Sequence, residues 1–129
     1  MKFTTTIAGA LVASASWAGM AAAQQDISMW YHGAGGEVEG ALVQQLVSDF
    51  NASQSDYKVT LESFPQISYN DSVVAAALAG NLPDIIDVDG PVMPNWAWSG
   101  YLQPLDIDES KIANFLPGTK GIWDGKLYS

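Results

Sequence analysis

Asp84-Ile85-Ile86-Asp87-Val88-Asp89-Gly90 carries the chain's most reactive-looking pair of side chains, Asp87 and Asp89. Spaced by two, they share one side of a pleated strand, and Asp89 stands at its carboxyl end. In open parallel sheets ligands gather outside that end of the strands. A carboxylate there can accept two hydrogen bonds from the hydroxyls of a polyhydric ligand. Each acid also has a plainer role open to it. Asp87 can serve a neighbouring helix N-terminus, and Asp89, followed by Gly90-Pro91, can be an N-cap or turn residue. A second chemistry is the paired-carboxylate work of a glycoside hydrolase, since the two acids could lie about 5–7 Å apart. Against that, an acid and a nucleophile approach a glycosidic bond from opposite sides, which two neighbours on one strand cannot readily do.

The other polar candidates are few. His32 is the single His and there is no Cys, so no partner supports metal ligation. Gly33-Ala34-Gly35-Gly36 follows a strand pattern and opens a helix, but its spacing departs from the dinucleotide fingerprint. No nucleophile elbow, phosphate-cradling loop or zinc-protease motif is present, so no cofactor and no metal are expected. Trp96 and Trp98 lie about 200° apart on a helix, so one packs inward and the other is left as a face for an amphipathic ligand. Tyr69 stands near the start of a helix, where it can face a ligand or pack on Pro65. Asn51-Ala52-Ser53 and Asn70-Asp71-Ser72 match the glycosylation sequon, a match expected by chance.

The elements that must position these residues alternate. Asp26–Tyr31 reads as a strand with Ile27, Met29 and Tyr31 on one side. Val38–Phe50 reads as a helix whose Val38, Leu42, Val43, Leu46, Val47 and Phe50 form one apolar stripe, with Glu37 and Glu39 in its first turn. Tyr57–Glu62 alternates as a half-buried strand. Ser68 and Asp71 have the spacing of a capping box for a helix through Ala79, with Gly80 as its left-handed stop. Residues 84–88 read as a strand buried on both faces, because Ile85, Ile86 and Val88 leave no polar side. Pro91–Ser99 is a short helix or turn closed by Gly100, Glu109–Phe115 a short helical segment, and Asp124-Gly125 a tight turn into a further strand. Strand–helix–strand–helix–strand gives an α/β fold with a mainly parallel sheet flanked by helices. Right-handed crossovers then place Tyr31-His32 and Asp87–Asp89 on the same sheet edge.

At the N-terminus, Lys2, the small apolar run Ile7–Met20 and Ala21-Ala22-Ala23 have the form of a secretory signal peptide, with Gln24 the first mature residue. The apolar run is short for a membrane span. Lacking Cys, the mature end cannot carry a lipid on cysteine, and no disulfide forms. The rest, residues 24–129, allows one modest domain. Its acidity, with 14 Asp and Glu against 5 Lys, no Arg and a formal net charge of −9 for the whole chain, excludes nucleic acid and anionic membrane surfaces as partners.

Met29-Trp30-Tyr31-His32, Ser48-Asp49-Phe50-Asn51, Ala77-Leu78-Ala79-Gly80-Asn81-Leu82-Pro83-Asp84, Trp96 through Asp106 and Gly121-Ile122-Trp123-Asp124-Gly125-Lys126-Leu127-Tyr128 together resemble bacterial extracellular solute-binding proteins of sugar ABC transporters. The resemblance runs through nearly all of residues 24–129. It implies a type II periplasmic-binding-protein lobe, in a two-lobed periplasmic protein that closes over a sugar-like solute or polyol and passes it to membrane permease subunits. It implies no catalysis, and that residues 24–129 are the N-terminal part of the first lobe. The site residues expected for the ligand are Tyr31, His32, Tyr69, Asp87 and Asp89. A secreted adhesion or scaffold domain is the remaining alternative.

Overall fold

The computed structural model describes residues 23–33 and 36–129. The leader expected over residues 1–23 lies, but for Ala23, outside the described residues. So does the middle of the glycine-rich turn.

Three parallel strands form the sheet: β1 (Gln25–Tyr31), β2 (Tyr57–Ser63) and β3 (Ile85–Ile86), in the order β2-β1-β3. Helix α1 (Glu37–Ser53) links β1 to β2, and α2 (Gln66–Ala79) carries the chain back across β1 to β3. The two right-handed crossovers run in opposite directions, which puts the helices on opposite faces. The α1 face presents Met29, Tyr31, Val59 and Ile85. On the α2 face Trp30 and Ile86 pack with Phe64, Val88 and Leu82 around a buried cluster of Tyr69, Val73 and Trp96. Helix α3 (Met93–Trp98) completes that layer, burying Met93, Trp96 and Ala97. A hairpin, β4 (Ile122–Trp123) with β5 (Lys126–Leu127), follows a connection that holds two short 3-10 turns. No helix among the described residues is long and apolar enough to cross a membrane.

Side chains fix the strands at three points. Asp84 Oδ2 accepts from both the Ser28 N–H (2.8 Å) and the Ser28 hydroxyl (2.7 Å), pinning β3 beside β1. The two Ser28 donors, the hydroxyl foremost, hold the Asp84 carboxyl below the usual carboxylate range. The Asn51 amide exchanges two 2.8 Å bonds with the Val59 backbone, locking the end of α1 to β2. Gln54 receives the N–H groups of Asp56 and Tyr57 and so shapes the turn between them.

Several expectations need correction. Helix α2 opens at Gln66 behind Pro65, not at a Ser68–Asp71 capping box. Ser68 is already inside the first turn and its hydroxyl donates to the Pro65 carbonyl. Pro65 has the extended backbone of an N-cap (φ −61°, ψ 135°), so the helix starts as soon as proline's constraint is passed. Strand β3 covers two residues instead of five. Its register sets Met29 opposite Ile85 and Trp30 opposite Ile86, and at the leading end the Asp84 side chain takes the Ser28 N–H in place of a ladder bond. Nor is β3 buried on both faces: it is the sheet edge, and Ile85 is 43% exposed toward the α1 side. The α1 stripe forms, but only Val43 and Val47 are half-buried; Val38, Leu42, Leu46 and Phe50 remain exposed. The segment after Asp108 is a 3-10 turn over Glu109–Ile112 and stops short of Phe115. Elsewhere the local chemistry reads as expected. Gly80 (φ 70°) ends α2 in the left-handed region, and Asp124 (φ 48°) with Gly125 (φ 73°) makes the hairpin turn that suits strand twist.

Candidate functional site

The carboxyl edge of the sheet gathers the end of β1, the end of β3 and the first turn of α2. Each comes there for a local reason. β1 and β3 are adjacent and parallel, so both release their chains on the same side. β2 feeds α2 from that side as well, which brings Gln66 and Tyr69 over the strand ends.

His32 is the centre of the arrangement. Its Nδ1 lies in close contact with Asp87 Oδ2, and its Nε2 lies 3.9 Å from Asp89 Oδ1. The facing atoms of His32 and Asp87 are buried and have no hydrogen-bond partner, so the contact between them is one of proximity. Asp89 is the more open acid, its side chain 46% exposed against 24% for Asp87, and the Gln66 amide donates to its Oδ2 at 3.4 Å. One imidazole thus stands beside two acids that leave β3 in sequence. The outer acid keeps oxygens turned to solvent.

Two tyrosines support this edge from opposite faces. Tyr69, 2% exposed, donates its hydroxyl to the Asp87 carbonyl at 2.8 Å and approaches the Trp30 carbonyl at 3.3 Å. It ties the ends of β1 and β3 together from beneath, with its ring 5.6 Å from the His32 ring and 6.5 Å from Trp96. Burial, and then the Asp87 charge, raise its pKa. Tyr31, 6% exposed, turns to the α1 face, where its hydroxyl is buried without a hydrogen-bond partner in good geometry. Burial, followed by the neighbouring Glu39 carboxylate, pushes its pKa up to about 12. Gly33 makes room for this placement, because a Cβ there would overlap the Tyr31 ring.

The structure therefore brings Tyr31, His32, Tyr69, Asp87 and Asp89 to one edge, with Asp89 the most exposed of the acids. Gln66 and Glu39 join them, neither expected at the site from the sequence, which marks Glu39 only as a first-turn acid of α1. A signal for Gln66 was available: it follows Pro65 at the helix start that the crossover delivers to this edge. Chemically the cluster can accept hydroxyl hydrogen bonds at Asp89, whose carboxylate is steadied by the Gln66 amide and stands beside His32. Among the described residues no group of three His, Cys, Asp or Glu is placed to hold a metal ion.

Residues 45–129 match the family model described as bacterial extracellular solute-binding protein. The chain belongs to this family. The matched span includes β2, α2, β3 and the acids at the site, and the family is one of binding proteins, with nothing in it that favours the hydrolase alternative. Two solved structures share the fold. One is the sugar-binding protein MalE from the phytopathogen Xanthomonas citri, 22% identical with a TM-score of 0.63, matched over 81% of this chain and 27% of its own. The other is the GacH receptor of Streptomyces glaucescens GLA.O, 24% identical with a TM-score of 0.69, matched over 81% of this chain and 28% of its own. Both are type II periplasmic binding proteins, so this solute-binding chain has the lobe architecture its strand–helix alternation implies. It spans little more than a quarter of either structure's length. No curated protein matches it.

Proposed function

We propose that this chain belongs to the extracytoplasmic solute-binding component of an ABC importer, and that it supplies part of one lobe closing over a sugar or related polyol for delivery to the membrane permease. The observation that carries the reading is the convergence of His32, Asp87 and Asp89 at the carboxyl edge of the sheet, with Asp89 oxygens open to solvent. Asp89 takes solute hydroxyls. Asp87, beside His32, can contribute a second acceptor. His32 presents its Nε2 side to the cleft, Tyr69 forms the floor, and Tyr31 closes the edge on the α1 side. The two structures that share the fold are a sugar-binding protein and a receptor solved both unliganded and in complex with acarbose, which supports a carbohydrate as the solute class. Residues 1–23 act as the export leader in this reading, and the mature protein works in the periplasm. With no Arg in the chain and both acids at the edge, a neutral solute is favoured over a sugar acid or phosphate.

A panel of neutral sugars, polyols, sugar acids and sugar phosphates, screened by tryptophan fluorescence and followed by calorimetry, tests this. A saturable response confined to neutral sugars or polyols is expected. Binding confined to anionic sugars, or to amino acids or peptides, would contradict it.

A further inference from the structure

His32 meets a different acid at each ring nitrogen. Nδ1 lies against Asp87 Oδ2, with both atoms buried, and Nε2 lies 3.9 Å from Asp89 Oδ1. A nitrogen lone pair turned toward a carboxylate oxygen repels it, so the proton of the neutral ring belongs on Nδ1, toward the buried acid. Nε2 then carries the lone pair and gives Asp89 Oδ1 no donor. A second proton can enter only at Nε2, and it reverses this. The imidazolium has an N–H at each nitrogen and a positive charge between two carboxylates. The surroundings add to the effect. Asp89 Oδ2 already accepts from the Gln66 amide at 3.4 Å, so Oδ1 is the oxygen left for another donor. Tyr31 on β1 and Tyr69 on α2 flank the ring at 5.3 and 5.6 Å, and both are neutral phenols. Glu39 of α1 stands beyond Tyr31, beside its hydroxyl, and adds a third negative charge. Among the described residues no lysine comes within ion-pair distance of Asp87 or Asp89. The cation that this edge can raise is His32 itself.

We infer that His32 is a proton-operated gate on the solute site: the neutral ring leaves Asp89 Oδ1 free for a solute hydroxyl, and the protonated ring takes that oxygen for its own Nε2–H. This rests on the reading that Asp89 holds the solute. Solute and proton then compete for one carboxylate oxygen. Binding expels the proton from Nε2, and by linkage a proton on Nε2 weakens the solute by the same factor. Affinity therefore rises with pH across the range in which imidazole gives up its proton, and solute is released into an acidifying medium.

The test is calorimetric titration of the protein carrying this chain with glucose, maltose, maltotriose and sorbitol, at steps from pH ~7.5 to pH ~5.5. Wild type, His32→Gln and Asp89→Ala are compared. Wild-type affinity is expected to fall about tenfold over that span, the change that follows when an imidazole must lose its proton before solute binds. In His32→Gln, whose side chain does not titrate, the pH dependence flattens, whatever the affinity at the upper end. Wild type is also titrated near pH ~6.5 in two buffers of different ionisation enthalpy, which counts the protons moved. Release of a fraction of a proton on binding is expected, and this count decides alone if His32→Gln binds too weakly to titrate. Affinity that is flat in pH, or that rises as pH falls, overturns the gate, as does proton uptake on binding. A pH dependence that persists in His32→Gln overturns it too. If Asp89→Ala is still weakened in those cases, the Asp89 site stands without the gate. Absence of binding by wild type to every probe at every pH removes the underlying reading and this inference with it.

Discussion

Replacing Tyr69 with Phe deletes one oxygen from the place where β1 and β3 end. The hydroxyl's shorter bond, 2.8 Å, goes to the Asp87 carbonyl, and its longer approach, 3.3 Å, to the Trp30 carbonyl. The Trp30 carbonyl keeps another donor, the Asp87 N–H at 3.1 Å, so the loss falls on Asp87. A neutral hydrogen bond contributes about 0.5–1.5 kcal/mol net, and a buried acceptor left without its donor costs about 1–3 kcal/mol. Tyr69 is 2% exposed, so water has little access to replace the donor. The expected destabilisation is about 1–2 kcal/mol, with the ring and its packing against Trp96 retained. Urea denaturation followed by tryptophan fluorescence measures it. Tyr57→Phe is the control, because Tyr57 is 45% exposed and its change should stay within about 0.5 kcal/mol. Amide exchange should also quicken at Asp87 and His32 in Tyr69→Phe, since the strand ends lose their tie. A Tyr69→Phe protein as stable as Tyr57→Phe would refute the assignment of that hydroxyl as the clamp.

The remaining predictions test other links. Asp84 is held below its ordinary pKa by Ser28, so its contribution to stability is present above the unfolded value near pH ~4 and is lost as pH falls through the lower folded value. Asp84→Asn should therefore destabilise the protein at pH 7 and flatten its acid-unfolding limb below pH ~4; an unchanged limb contradicts the Ser28 clamp. Val73, fully buried in the cluster with Tyr69 and Trp96, should lose about 2–3 kcal/mol as Val73→Ala in the same urea assay. Gly125→Ala meets no atom within 4 Å, so its cost is the left-handed backbone alone, about 1–2 kcal/mol, and a circular dichroism melt should show the loss without a change in the folded spectrum.

Much of the sheet was legible because its signals are local. Alternation in Ile27, Met29 and Tyr31, helical spacing from Val38 to Phe50, and the φ demands of Gly80 and Asp124-Gly125 each name an element within a few residues. The shared edge of Tyr31, His32, Asp87 and Asp89 followed from crossover handedness alone. What remained hidden is set by distant partners. The length of β3 depends on where its ladder with β1 breaks, at the Asp84 side chain that takes the Ser28 N–H, not on the β-branched run itself. Periodicity shows that α1 has an apolar face, but not that Leu42, Leu46 and Phe50 stay uncovered beside an apolar groove of about 530 Å³. The Ser28–Asp84 clamp spans 56 residues of sequence and has no pattern. Of the site, the residue types at the edge were readable; the division of labour between Asp87, beside His32, and the open Asp89 was not.

The central claim is that the open carboxylate at the end of β3 holds the solute. Losing charge-assisted hydrogen bonds of about 1.5–3 kcal/mol should weaken binding roughly tenfold to a hundredfold. Calorimetric titration of Asp89→Ala with the neutral sugar that wild type binds measures this directly, with circular dichroism confirming the fold. The account predicts weakening in that range with an unchanged melting curve. Wild-type affinity in a folded Asp89→Ala protein would contradict it.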